Sequence, residues 1–271
     1  PMRRILVVGG KAKYPCLLLK TGQTTQYNSE LDDGYYQAGE EKSYTVNTTG
    51  AQSGTTNVDL AHYAGGAGAI SFNNSTKKIT DSGGGLAIFK TGDVILTDSA
   101  NNPGPFTVTT GNVAGEIACS GATFVDETPA GVVTISKREA ISNNTVLDNK
   151  TGLTWLRYAQ TKFGAAGFMP WTGYLYDIFA YAAACNAVSL GGHTDWRVAN
   201  RNEIYSLLDG EQPTGFADTT AFPVAFTDIA TSNTMPAATT SFMSINGAGT
   251  NSSASAKASG TGKPRLVRGG L

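Results

Sequence analysis

Catalysis needs side chains that hold a proton, a metal or a nucleophilic electron pair at a working distance, and this sequence sets few of them at useful spacing. Its two histidines, His62 and His193, share no metal-ligand spacing and no HExxH pattern. His193 stands beside Thr194 and Asp195, which invites a triad, yet no serine lies in a GxSxG elbow, so the histidine reads as structural. Cys16, Cys119 and Cys185 form no CxxC pair, and an odd number closes no disulfide framework, so they read as buried thiols packing as small hydrophobes. Cys185 falls on an apolar helical stripe, poor surroundings for an activated thiolate. The glycine clusters Gly65-Gly66 and Gly83-Gly84-Gly85 lack the GxxxxGK[ST] or strand-GxGxxG-helix setting that nucleotide phosphates require. Asp32-Asp33-Gly34 lacks the alternating oxygen ligands and distal Glu of a calcium loop and reads as a turn. The carboxylate pairs Glu40-Glu41 and Asp126-Glu127 sit in polar runs and read as solvated. No catalytic residue, metal site or cofactor is expected.

The bulk composition narrows the classes further. At 271 residues the chain has room for one large domain or two to three small ones. Charged residues make up 15%, well under the usual fraction of about 25%, so solubility rests on neutral polar groups. Together with 33 glycines this favours turns and short strands over long charged helices. A net charge of -1 without a Lys/Arg block gives no electrostatic footprint for nucleic acid or an anionic membrane. The longest apolar runs, Ile5 to Val8 and Leu17 to Leu19, fall far short of the roughly 20 residues that span a bilayer. The four-residue run after Arg3-Arg4 is also shorter than a signal-peptide core.

The elements that would position any site are mainly β. Residues 1–66 carry little that buries a face and read as irregular β structure for assembly or attachment. Over 67–137 short β-rich runs recur about every ten residues: Ala69 to Phe72, Lys78 to Thr80, Leu86 to Phe89, Val94 to Thr97, Phe106 to Thr109, Glu116 to Cys119 and Val132 to Ile135. Turn signals such as Asp81-Ser82-Gly83 and Asn101-Asn102-Pro103-Gly104-Pro105 separate them, which predicts a small antiparallel sandwich or barrel. Residues 138–271 read as α+β. A helix is predicted from Thr172, with Leu175, Ile178, Ala182 and Cys185 on one stripe. A second starts at Asn200, an N-cap with Glu203 three residues on as in a capping box, and buries Ile204, Leu207 and Leu208 before Asp209-Gly210. Strands are predicted at Ser241 to Ile245 and Arg265 to Val267. Between them, Asn246 to Lys263 holds no apolar residue larger than Ala and reads as an exposed loop or hairpin tip.

Three motifs in order, "VLDNKTGLTWLR", "AYAAACNAVSLGGHTDWRVANRNEIYSLLD" and "RLVRGG", resemble the Lcl C-terminal domain family over about residues 140–271. The resemblance implies a C-type-lectin-like fold in which the first and last strands pair. In that role Asp148 to Gly152 turns the opening hairpin, Leu153, Trp155 and Leu156 fill core and sheet, and Trp196 anchors the chain between helix and loop. Asp195 and Arg197 flank it, set to pair with backbone or with each other. Arg265 and Arg268 belong to the closing strand. Cys185 matches a family position that often bonds a cysteine of the last strand, where this sequence has Leu266, so the disulfide is expected to be absent. Glu211-Gln212-Pro213 only faintly echoes the calcium-lectin sugar motif and lacks its partner. The phrases "FKTGDVILTDSANNPGPFTVTT" and "ATFVDETPAGVVTI" resemble a β-module of phage structural proteins.

These readings together lead to the expectation of a non-enzymatic virion protein, made in the host cytoplasm as a tail-tip, fibre or capsid decoration. Its partners would be other virion proteins, copies of itself in a trimer or higher oligomer, and a cell-surface glycan or protein receptor. Ligand contacts are expected from Thr227 to Thr239, with Asn233, and from the loop Asn246 to Lys263, with Asn246, Thr250, Asn251, Ser253 and Lys257. A secreted bacterial adhesin for host glycans is the alternative. A tail-associated polysaccharide hydrolase would need a carboxylate pair in a cleft, and no spacing marks one.

Overall fold

Alternation of apolar and polar residues with glycine-rich punctuation makes strands wherever one face can be buried, and the computed structural model follows that rule for most of the chain. It describes residues 41–121, 123–163, 168–172, 174–207, 218–223, 228–235, 238–245, 252–257 and 261–269. In chain order the early strands are β1 (Tyr44–Asn47), β2 (Thr55–Gly65), β3 (Ile70–Asn73), β4 (Lys78–Asp81), β5 (Val94–Thr97), β6 (Phe106–Thr110), β7 (Glu116–Ser120) and β8 (Val133–Ser142). There follow β9 (Thr145–Asp148), β10 (Leu153–Leu156), β11 (Met169–Pro170), helix α1 (Ile178–Ala187), β12 (Arg197–Val198) and helix α2 (Arg201–Leu207). The last strands are β13 (Ile229–Met235), β14 (Ala238–Ile245), β15 (Ser252–Ala256), β16 (Thr261–Pro264) and β17 (Leu266–Gly269).

Strands β2 to β8 form one antiparallel sheet in the order β2-β8-β5-β6-β7-β4-β3, curled around Ile79, Phe89, Ile95, Ile117 and Ile135. Two further sheets lie in the C-terminal part. One runs β1-β9-β10-β17-β12 and the other β11-β16-β13-β14-β15, with β13 and β16 parallel. The chain therefore lends β1 to the C-terminal sheet, where Val46 pairs with Val146, builds the seven-stranded sheet, and then returns to β9. The closing strand of the C-terminal module pairs with the second strand of its opening hairpin, Leu153 opposite Gly269 and Trp155 opposite Val267, and not with the first strand β9, which lies between β1 and β10. One core spans the junction: Val58, Leu60 and Ile141 pack with Leu156, Ile178, Tyr181 and Trp196.

Four local expectations are corrected. Residues 55–65 are not irregular: β2 pairs with β8 from Thr55 opposite Ser142 to Gly65 opposite Val133, its alternation interrupted by an irregularity between Ala61 and Tyr63. Residues 85–88 form a 3₁₀ turn and not a strand. Its Gly85 lies so close to the Tyr63 ring that a Cβ would stand 2.0 Å from it. Helix α1 does not start at Thr172. Asp177 caps it, its Oδ1 accepting from Phe179 N at 3.0 Å and Ala180 N at 2.8 Å, and Leu175 lies outside the helix, exposed. The stretch Asn246 to Lys263 is not all loop, for β15 pairs with β14 and β16 with β13 and β11. Backbone pairing needs no large side chain, and serine and alanine suffice at a sheet edge.

The second helix begins as the capping box prescribes. Glu203 N donates to Asn200 Oδ1 at 2.9 Å, and Asn200 N donates to Glu203 Oε2 at 2.7 Å. The hairpin of β9 and β10 turns on Asp148, whose Oδ1 accepts from Lys150 N at 2.9 Å, and on Gly152 at a positive φ of 70°.

Candidate functional site

The most distinctive surface of the module is aromatic and grows from the stretch between residues 168 and 181. Pairing of Met169 with Gly262 and Pro170 with Thr261 fixes the start of this stretch against β16. The approach is close, since a Cβ on Gly262 would stand 2.7 Å from the Ala230 methyl. Trp171 then turns inward. Its Nε1 donates to Thr231 O at 2.8 Å, and its ring stacks on Phe242 at 5.7 Å and meets the Phe179 edge at 5.0 Å. Lys257 lays its Nζ 4.5 Å from the Trp171 ring centre and donates to Thr234 Oγ1 at 2.7 Å. Lys263 holds its Nζ 4.9 Å from the Phe168 ring. Phe179, against this cation-capped core, stays 39% exposed, and Tyr174 and Leu175 before it in the chain stay 50% and 45% exposed. Exposed aromatic rings and an ammonium set on an indole offer stacking surface, a hydroxyl and one positive charge, means of contacting a ligand.

Of the residues expected to touch ligand, Lys257 lies on this face, as do Thr234 and Lys263 of the two expected stretches. Asn233 is on β13 and its Oδ1 accepts from Arg201 N at 2.6 Å, so it helps begin α2. Ser253 lies on β15, opposite Ser244. Asn246, Thr250 and Asn251 lie outside the described residues, as do Asp32-Asp33-Gly34, Glu211-Gln212-Pro213 and Cys16. Tyr174, Leu175 and Phe179 were not among the expected contacts. The available signal was six aromatics between residues 168 and 181, hidden by reading part of the stretch as a buried helix stripe.

The motif residues hold the module together. Trp155 is fully buried between β9 and β17. Trp196 Nε1 donates to Leu190 O at 2.8 Å, and its backbone N donates to Asn186 Oδ1 at 2.7 Å. Asp195 and Arg197 do not pair with each other. Arg268 Nε donates to Asp195 at 2.6 Å, which holds that carboxyl below its ordinary range. Arg197 donates twice to Glu203, at 2.8 and 2.5 Å, tying β12 to the first turn of α2. Arg265 is buried, its pKa pulled down to about 9 by desolvation, and its Nη1 donates to Arg157 O at 3.2 Å.

Among the described residues, the histidines and cysteines and Glu127 are partly or fully buried or hydrogen-bonded. Burial pushes the Cys119 and Cys185 thiols up to about 12, and both are free cysteines. The His193 ring meets the Trp196 edge at 5.7 Å, and burial and then Arg268 lower its pKa. His62 stacks on Tyr176 at 4.6 Å with its Nδ1 2.8 Å from Leu60 O, and burial lowers its pKa. Glu127 is not simply solvated: it accepts from Ser99 Oγ, from Asn101 Nδ2 at 2.8 Å and from Asn102 Nδ2 at 2.5 Å. Among the described residues no group of three His, Cys, Asp or Glu is placed to hold a metal ion, and no helix is long and apolar enough to cross a membrane.

Comparison with known proteins is consistent with this geometry. Residues 144–268 match the family model of the Lcl C-terminal domain, the span from β9 to β17 that the pairing of β10 with β17 closes. No curated protein and no solved structure matches the chain.

Proposed function

We propose that this chain, whose residues 144–268 are an Lcl C-terminal domain, is a non-enzymatic attachment protein of a virion, a tail-tip, fibre or capsid-decorating component. In this reading the C-type-lectin-like module meets a cell-surface glycan or protein receptor, and the seven-stranded sheet is the platform that fixes it to the particle. The observation that carries the reading is the exposure of Tyr174, Leu175 and Phe179 in one stretch, with Phe179 set against the Lys257–Trp171 pair. A shared core with the platform gives that face a stiff mounting, and repetition in a homotrimer or larger oligomer would multiply weak contacts by avidity. The low-charge composition and the phage-like β phrases support the particle context.

The purified chain is expected to bind susceptible bacteria saturably. The double variant Tyr174→Ala/Phe179→Ala should lose at least about tenfold in apparent affinity, the loss typical of one or two aromatic anchors. Binding no better than serum albumin would end the attachment reading. Immunogold label against the chain should decorate particles in a lysate. Label confined to the cell envelope would instead favour a secreted adhesin, and release of reducing sugar from bound polysaccharide would overturn the non-enzymatic assignment.

A further inference from the structure

A second concavity lies across α1 from the aromatic face. Phe179 and Tyr181 are two residues apart on that helix and so point to different sides. Phe179 belongs to the exposed stretch, while Tyr181, buried, floors a groove of about 450 Å³ at the junction of the two parts of the chain. One wall is Thr55 of β2 with Ser142 and Asn144 at the end of β8, and the other is Tyr158, Thr161 and Lys162 in the turn after β10. Size and position at a junction are those of small-ligand sites.

The walls are held before any ligand arrives. Gln160, buried, accepts from Lys162 N and from Phe163 N at 2.9 Å and donates to Phe163 O at 2.6 Å, which locks the 160–163 turn. Arg157 donates to Ala221 O at 3.1 Å and Thr220 O at 3.0 Å, and its guanidinium lies 5.6 Å from the Tyr158 ring centre, backing that ring. Asn144 Nδ2 donates to Gln52 O at 2.6 Å. Order of this kind lowers the entropy lost on binding.

The lining specifies a chemistry. Thr55, Ser142 and Thr161 bring hydroxyls, Asn144 brings an amide, and Tyr158 keeps 37% of its surface exposed as a stacking wall. Among the described residues of the lining Lys162 is the only charged one, and none is a carboxylate. Hydroxyls and an amide match a polyol, a tyrosine ring matches the C–H face of a pyranose, and an ammonium without a local counter-charge matches a carboxylate. We propose that this groove binds one acidic sugar unit of the hexuronate class, its ring against Tyr158 and its carboxylate on Lys162.

The proposal does not rest on the attachment reading, because its test uses only the purified chain and small molecules. Glucuronate, glucose and acetate are titrated while amide shifts are followed by NMR. Glucuronate should saturate at millimolar concentration, glucose should bind about tenfold more weakly for lack of one charge-assisted contact, and acetate should not saturate in that range. Tyr158→Ala should weaken glucuronate at least about tenfold, and Lys162→Gln should bring it to the level of glucose. Tyr174→Ala, outside the lining, should bind glucuronate like the unaltered chain. Unchanged melting temperatures of the variants separate a lost contact from a lost fold. Absence of saturation by glucuronate, equal binding of acetate, or indifference to Tyr158→Ala would each overturn the proposal.

Discussion

In the seven-stranded part several polar side chains are consumed internally and the exposed large apolar residues are the aliphatic Ile88, Val113, Val125 and Val132, whereas the module exposes aromatic rings. Asp81 accepts from Tyr63 Oη at 2.6 Å, Gly85 N at 2.7 Å and Gly83 N at 2.9 Å, so the glycine run is there to bring backbone amides to a carboxylate. Those bonds outweigh desolvation and hold Asp81 below its ordinary pKa, while desolvation and the bond to Asp81 push Tyr63 up to about 12. Lys137 lies between Asp93 at 2.9 Å and Glu139 at 3.0 Å. In the module, by contrast, Tyr158, Tyr174, Leu175, Phe179 and Lys162 are exposed. Residues with a full set of internal partners have little left for a ligand, so the contrast divides scaffold from display.

Substitutions test that division, and the largest effect belongs to the core that closes the module. Trp155→Ala empties a fully buried indole site between β9 and β17 and should cost about 3–5 kcal/mol in denaturant unfolding, the range for truncating a buried aromatic. A loss under about 1 kcal/mol would mean that the strand pairing is not what holds the module closed. Next comes Glu127, which ties residues 99–102 to 125–127. Glu127→Ala leaves Ser99 and Asn101 without this acceptor, while Asn102 keeps Val125 O, and at this half-exposed position about 1–2 kcal/mol is expected. The bonds from Ser99 and Asn101 lower the folded pKa of Glu127, so its contribution is present above the ordinary glutamate value of about 4.3 and is lost as pH falls through the folded value. Glu127→Gln should therefore flatten the acid side of the stability curve. An unchanged acid limb would remove Glu127 from the scaffold group.

Local grammar made part of this legible. Asn200 and Glu203 announce their helix because both halves of a capping box lie within one turn, and Asp148 to Gly152 announces a hairpin for the same reason. The three ordered motifs located the module over about residues 140–271, and the family match covers 144–268. What depends on distant partners was not legible. Thr55–Gly65 carries apolar residues at Val58 and Leu60, but its next inward position is His62, covered by Tyr176 and Phe163 from across the junction together with Phe89. Ser252–Ala256 has no hydrophobic pattern, and its strand character comes from the register with β14. Arg268 finds Asp195 across more than seventy residues. At the candidate site the sequence pointed to Lys257 but not to its seat on Trp171, since that contact depends on β11 pairing with β16.

His62 stands where scaffold and display meet, and its effect should be smaller. Burial, against the pull of its Leu60 contact, lowers its pKa below the ordinary 6.5, so the unfolded chain takes up the proton more readily than the folded one. Stability should then decline as pH falls from about 7 through the folded value. Lys137 opposes the imidazolium charge and Asp93 favours it, while Tyr176, Phe163 and Phe89 supply uncharged rings around it. His62→Phe should remove that part of the decline while keeping the stack on Tyr176, and a decline of unchanged steepness would assign the slope to other groups. The smallest effect is expected at Tyr174. With half its surface exposed and its ring 6.0 Å from Tyr176, its truncation to Ala should move stability by no more than about 0.5 kcal/mol. A loss of 2 kcal/mol or more in thermal unfolding would make Tyr174 part of the scaffold, and the exposed stretch would lose its claim to be a surface kept for a partner.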